Sequence, residues 1–242
     1  MGYVKKIYRL KTAVEIEEYH DDRHRLPGQP RQPKQKATPE QMAKANRRNR
    51  EKLCRRKLRE HFDIYDVFST LTYARERRPA SMEAAKADFK AFIRKVRREY
   101  AKRGAECKWI RVIEQGKRGG WHVHLVITRI ADTDKILAAA WPHGAQRNQL
   151  MYENGGFAKL AAYLTKDTET KREDGSKAAD YSASRNLPIP EPERKEYRRW
   201  KTWTDIKVPA GWYLDPDSVE EGINPFTGYP YRIYSLLRVK RE

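Results

Sequence analysis

The sequence predicts an α+β domain on a ferredoxin-like, split βαβ plan: a mainly antiparallel central sheet of about five strands flanked by helices, preceded by a basic N-terminal helical arm. Three observations carry this. Segments rich in β-branched and aromatic residues alternate with helical stripes in the order strand, long helix, hairpin, helix, strand, helix. A glycine-rich turn joins the two middle strands tightly enough to make them antiparallel neighbours. At 242 residues the chain can bury a core without disulfides or metals, and the length fits one domain with extensions.

The elements follow in order. Residues 1–37 read as irregular, and the three prolines between Leu26 and Lys34 read as a linker or arm. Thr38-Pro39-Glu40-Gln41 opens a helix: Thr38 caps it, Pro39 suits its first position and Gln41 has capping-box spacing. That helix runs to about Glu60 and carries eight Lys or Arg between Arg47 and Arg59. Asp66–Tyr73 reads as a strand. Ser81 caps a long helix whose core stripe is Ala85, Phe89, Phe92, Ile93, Val96 and Tyr100. Lys108–Glu114 and Trp121–Ile127 are strands joined by a turn at Gly116–Gly120, where three glycines permit positive φ. A short helix spans Asp132–Ala140, Gln149–Tyr152 is a fourth strand, and Asn154 caps a helix over 155–166. A polar loop (167–180), a basic aromatic segment (194–203) and a more apolar tail (229–239) close the chain. The expected division is a basic arm and helix (1–61), a central domain (62–185) and a basic, aromatic extension (186–242).

Charge narrows the partners. With 52 Lys and Arg against 33 Asp and Glu, the net charge is +19. That points to a polyanion, with nucleic acid ahead of an anionic membrane surface. The charged fraction of 35% exceeds the usual range, so much of the chain is surface or arm. No run approaches the ~20 apolar residues of a membrane span, and no signal-peptide core is seen at the N-terminus. Cys54 and Cys107 form neither a framework nor a CxxC pair, which fits reduced thiols in a cytoplasmic protein. Without a GxxxxGK[ST] loop, an attached ATPase or helicase is not expected.

Chemistry concentrates in two places. His122 and His124 are two apart on a strand, so both imidazoles project from one face while Trp121, Val123, Leu125 and Ile127 point to the other. Glu114 ends the preceding strand across the turn. If it lies opposite His122, all three side chains share that face, giving two nitrogens and a carboxylate with coordination positions left open. The ligand types allow zinc, but a polyanionic substrate adds oxygens and makes Mg²⁺ or Mn²⁺ plausible. In the last core helix, Tyr163 and Lys166 are three apart beside the apolar stripe of Phe157, Leu160, Ala161 and Leu164. A tyrosine hydroxyl is a poor nucleophile at its ordinary pKa near 10, and a nearby ammonium favours the phenolate.

Three segments then agree in order. Phe68-Ser69-Thr70-Leu71-Thr72-Tyr73, His122-Val123-His124 with Glu114 eight residues ahead, and Tyr163-Leu164-Thr165-Lys166 resemble the motifs of the HUH endonucleases, and among them the rolling-circle replication initiators (Rep proteins) of plasmids, phages and small single-stranded DNA viruses. The resemblance covers about 65–167. It implies that Tyr163 attacks a phosphate in single-stranded or unwound origin DNA, leaving a 5′-phosphotyrosine and a free 3′-OH that primes replication, and later rejoins strands. Glu114, His122 and His124 would hold a divalent ion, Mn²⁺ or Mg²⁺. Lys166 would assist the metal site or the phenolate, with Asp167 as a further contributor. Helicase and polymerase would be separate proteins. The motif holds one tyrosine rather than two, so termination would need a second subunit, water or another tyrosine; Tyr181 reads as structural or mobile.

Around the site, Thr72, Lys117, Arg118 and Lys159 are candidate nucleic-acid contacts. Trp200 and Trp203 among Arg194, Lys195, Arg198, Arg199 and Lys201 are either a stacking surface for single strands or packing for the tail. Rival readings are a single-tyrosine HUH transposase or relaxase, and a non-catalytic single-strand-binding module whose sheet face would carry aromatic residues in place of Glu114, His122 and His124.

Overall fold

The computed structural model describes residues 2–20, 38–116, 119–151, 156–166, 178–198, 203–224 and 227–239. In chain order the elements are strands β1 (Tyr3–Arg9) and β2 (Ala13–Tyr19), helix α1 (Pro39–His61), β3 (Val67–Thr72), α2 (Met82–Lys102), β4 (Trp109–Gln115), β5 (Trp121–Ile127), α3 (Thr133–Ala140), β6 (Gln146–Leu150), α4 (Ala158–Thr165), β7 (Ala179–Ala183), β8 (Glu193–Tyr197), β9 (Trp212–Leu214), β10 (Glu220–Ile223) and β11 (Pro230–Arg238). The chain divides into two compact units, residues 49–188 and residues 1–48 with 189–242.

Residues 49–188 hold a five-stranded sheet in the order β6-β3-β5-β4-β7, antiparallel at every pairing. Within the segment β3-α2-β4-β5-α3-β6, the strands in spatial order are the fourth, first, third and second, which is the split βαβ plan. The protein is thus α+β, as its sequence predicts. Alternation in β3 puts Val67, Ser69 and Leu71 on one face and Phe68, Thr70 and Thr72 on the other. On the first face the apolar stripe of α2, with Ile136, Leu137 and Ala140 of α3, packs on Leu71, Ile113, Val123, Leu125 and Ile127. On the second, Leu58 and Phe62 pack with Phe157, Ala161 and Leu164 on Ile110, Val112 and Val126. Helices therefore cover both faces, and the second face carries its polar residues towards one end of β3, β4 and β5.

Local signals operate as expected at three ends. The Thr38 and Gln41 side chains cap each other's backbone N–H groups at 3.2 and 3.0 Å. Ser81 Oγ accepts from Ala84 N. Gly119 takes φ +73° in the β4–β5 turn, where Gly116 N donates to Gly120 O at 2.7 Å.

Several expectations are corrected. The stretch expected to be irregular contains β1 and β2, which pair with each other and are flanked by β8 and β11 in a six-stranded antiparallel sheet, order β10-β11-β2-β1-β8 with β9 on β11. Lys5 and Lys6 stand opposite Glu18 and Glu17. Glu18 is buried and accepts from Arg232 Nε at 2.8 Å and faces Lys5 Nζ at 3.1 Å. These charges looked like an exposed arm because their partners lie far along the chain. The fourth strand of the main sheet begins at Gln146 rather than Gln149, an edge strand of alternating polar residues that one neighbour's backbone suffices to hold. The last core helix begins at Ala158, with Asn154 outside the described residues. Ala179 and Asp180, expected in a loop, start β7. Among the described residues no helix is long and apolar enough to cross a membrane.

Gly144 packs its backbone against the end of β3. A Cβ there would lie 2.4 Å from Thr72 O and 2.6 Å from Ala74 N. Both neighbours are backbone and cannot swing away, so Gly144→Ala is expected to lower stability by about 1–3 kcal/mol and to displace Thr72, read by urea denaturation and the Thr72 amide resonance.

Candidate active site

The hairpin register sets the site. Glu114 and Thr72 both pair with His122, making one cross-strand row, and Thr70, His124 and Val112 make the next. Because strand side chains alternate, Glu114, His122, His124, Thr70 and Thr72 all leave the same face.

His124, 8% exposed, is the hub. Its Nε2 lies 2.9 Å from Glu114 Oε1 and 2.8 Å from the Tyr163 hydroxyl, and its Nδ1 lies 3.3 Å from Thr70 Oγ1. The His122 ring stands nearly parallel to it, 6.3 Å away between centroids. Tyr163 reaches this point because α4 is anchored at its entry and along its core stripe. Phe157, completely buried with φ +49°, precedes its first turn, and Arg59 Nε donates to Gly156 O at 2.8 Å. Thr165 Oγ1 donates to Ala161 O at 2.8 Å at the other end. Leu164 and Ala161 face the core, which leaves Tyr163 on the helix edge, 41% exposed, with its hydroxyl over His124.

Electrostatics at rest disfavour the phenolate. Burial, and then the Glu114 charge, push the Tyr163 phenol up to about 12. Glu114 is held below the usual carboxylate range, first by its hydrogen bond to His124 against the opposing effect of burial, then by the charges of His124, His122 and Lys166. His122 is lowered chiefly by burial and then by the neighbouring His124 charge, so it is neutral near pH 7. Its folded pKa lies below the unfolded value of about 6.5, so on acidification the unfolded chain takes up this proton first and stability falls. His122→Gln is expected to flatten the loss of urea stability between about pH 7 and pH 5, with wild-type protein as the comparison.

Among the described residues no three His, Cys, Asp or Glu side chains are gathered into a metal-holding group as they stand. Glu114 and His124 meet, and His122 stands beside them. The chemistry of the donor set still fits a divalent ion. His124 Nε2, with one proton or one lone pair, faces two oxygens and can satisfy only one with a linear hydrogen bond. A shared cation relieves that conflict, and His122 offers a second neutral nitrogen on the same face.

The other sequence candidates are distributed around this hub. Thr72 lines an open cavity of about 370 Å³ with His122, Arg78, Gly116 and Gly120, its hydroxyl donating to Ala145 O. Lys159 lines a second pocket, of about 450 Å³, beside Tyr163. Lys166 ends α4, exposed, its N–H on Tyr163 O at 3.2 Å. Lys117, Arg118, Asp167, Trp200, Arg199 and Lys201 lie outside the described residues. Tyr181 sits in β7 against Cys54, its pKa raised by burial and then by Cys54, and it packs against the second-face core. Trp203 packs edge-on to Tyr3 and under the Arg232 guanidinium, so it packs the tail onto the six-stranded sheet. Sequence reasoning gave no site role to Arg78, Arg147 or Gln149, and took Phe68 only as part of the first motif. The basic run Arg75–Arg78 after β3 was the available signal for Arg78. The edge-strand residues gave none until the register was known.

No curated protein and no solved structure matches the chain. A family model does match, over residues 66–168, under half of the chain but the whole run from β3 through α4 that carries every residue of the hub. Over that run the chain is similar to the Replication-associated protein ORF2/G2P family, which supports a Rep-type replication initiator.

Proposed function

We propose that residues 66–168 form the nicking and joining site of a rolling-circle replication initiator of the HUH type, acting on single-stranded or unwound origin DNA. The observation that carries this is the meeting of the Tyr163 hydroxyl with His124 and Glu114 on one sheet face. It supports the reading because a hydroxyl beside a carboxylate and an imidazole is what a tyrosine nucleophile next to a divalent ion would need.

Glu114, His122 and His124 would hold Mn²⁺ or Mg²⁺, which supplies positive charge that polarises the scissile phosphate and favours the phenolate. Tyr163 loses its proton to solvent at its exposed edge, and its oxygen then bonds to phosphorus as the bond from phosphorus to the 3′ oxygen breaks. The departing 3′ oxygen takes a proton from water, leaving a 5′-phosphotyrosine and a 3′-OH. Lys166, at the end of α4, acts electrostatically on Glu114 and would assist the metal site or the phenolate. Reversal by a new 3′-OH rejoins strands with little change in bond energy. Thr72, Arg78 and Lys159 border the hub and suit phosphate contacts.

Incubating the protein with Mn²⁺ and a labelled single-stranded library tests this directly. The expected result is a band on a denaturing gel that yields a nucleotide-linked Tyr163 peptide by mass spectrometry. Tight binding with no adduct on any sequence would favour the non-catalytic binding module.

A further inference from the structure

Apart from Tyr163 and Lys159, which line it, the pocket of about 450 Å³ beside Tyr163 is not used by the chemistry above. Its volume is that of sites that enclose a small ligand. Phe68, Met151, Phe157 and Leu160 line it, with Gln149 and Lys159 also at its wall. The lining is mostly apolar, so it does not suit a phosphate. The Phe68 ring lies 6.3 Å from the Tyr163 ring and 6.0 Å from His124, between centroids. The pocket therefore begins within about one nucleotide of the attacked phosphorus.

The edge strand supplies the rest. Register puts Gln149 opposite Phe68 and Arg147 opposite Thr70, so both leave the face that carries His124. Arg147 is exposed and makes no hydrogen bond or ion pair among the described residues.

We infer that this pocket receives one unstacked nucleobase of single-stranded DNA, belonging to a nucleotide that shares the scissile phosphate. This rests on the nicking role proposed for Tyr163. The apolar walls and the Phe68 ring accept the base, as aromatic platforms do in single-strand binding. The Gln149 amide, with donor and acceptor, contacts its edge and sets preference among bases. Lys159 and Arg147 hold the adjoining phosphates without regard to sequence.

The test uses the full chain, ¹³C-labelled at methionine methyls, without added metal, the Met151 signal being assigned with Met151→Leu. The probes are short oligo(dA), oligo(dT) and an abasic deoxyribose-phosphate oligomer, with affinity followed by fluorescence anisotropy. The Met151 methyl is expected to shift with the base-bearing oligomers and stay still with the abasic one, which binds about tenfold more weakly. Leu160→Trp, which fills the pocket, is expected to bring oligo(dA) and oligo(dT) towards the abasic affinity. Phe68→Leu provides the same comparison if the tryptophan variant fails to fold. Gln149→Ala is expected to narrow the oligo(dA)-to-oligo(dT) ratio, whereas Lys159→Ala weakens both alike. Tight binding of base-bearing oligomers with an unmoved Met151 methyl overturns the base pocket and leaves the nicking site standing. No binding by any oligomer overturns both.

Discussion

Tyr163→Phe is expected to reduce adduct formation and nicking to background while single-stranded DNA binding and folding survive. The substitution removes one oxygen from a side chain that is already 41% exposed. The loss of one part-buried hydrogen bond costs about 1 kcal/mol, too little to unfold the domain. Tyr181 offers no substitute, because it sits in β7 against Cys54 with its pKa raised by burial. The resting pKa of about 12 adds a second readout. In a tyrosine ring-carbon NMR titration the signal lost in Tyr163→Phe is expected to titrate far above the ordinary value near 10. Adding Mn²⁺ or Mg²⁺ is expected to lower it, since positive charge favours the phenolate. Chelation is expected to abolish nicking and to restore the high value. If the phenylalanine variant still nicks, Tyr163 is not the nucleophile.

Phe157→Ala carries the second large effect, and it acts on the fold first. The ring is completely buried among Leu58, Phe62, Val126 and Leu164, and the residue holds a left-handed backbone at the entry to α4. Truncating a buried phenylalanine costs about 3–5 kcal/mol. A positive φ is uncommon for an aromatic residue and is retained only where the surroundings fix it. The loss is therefore expected to loosen α4 locally, separating Tyr163 from His124. Urea denaturation should show the lower stability, and nicking should fall further than the unfolded fraction accounts for. Phe157→Leu keeps most of the volume and is expected to keep most of both. Equal activity of the alanine variant, per folded molecule, would show that α4 is held by Arg59 and the remaining core alone.

What the sequence displayed was local. Ser81, the stripe from Ala85 to Tyr100 and the glycine turn after Gln115 are each defined by near neighbours, so α2 and the hairpin could be placed to within a residue or two. The pairing of Glu114 with His122 followed, because a tight turn leaves few registers and the apolar partners of the two histidines had to face inward. Tyr163 over His124 was beyond reach, since it depends on how α4 lies across the sheet, and that is set by Phe157, Leu164 and side chains such as Leu58 and Phe62 from far upstream. The edge strand Gln146–Leu150 was misplaced because it is held by backbone pairing to β3 and shows no apolar alternation. The six-stranded sheet was missed for a related reason. Glu18 and Arg232 look like surface charges until they are seen to be each other's buried partners.

That sheet has a consequence for how the protein is made. β2 pairs along one side with β1 and along the other with β11, so Tyr19 waits for Tyr231. At a synthesis rate of about 5–20 residues per second, roughly 10–40 s separate the two strands on the ribosome. Residues 49–188 contain all of their own sheet strands and can settle during that interval. An early hairpin with both edges exposed, β1 waiting for β8 and β2 for β11, is an invitation to pair with another nascent chain. Its charged side chains, Lys5, Lys6, Glu15, Glu17 and Glu18, are the kind that discourage such pairing. The late strand thus ties closure of the six-stranded sheet to the synthesis of β11: a chain truncated before Pro230 would carry Glu114, His122, His124 and Tyr163 but leave β2 unpaired on one side.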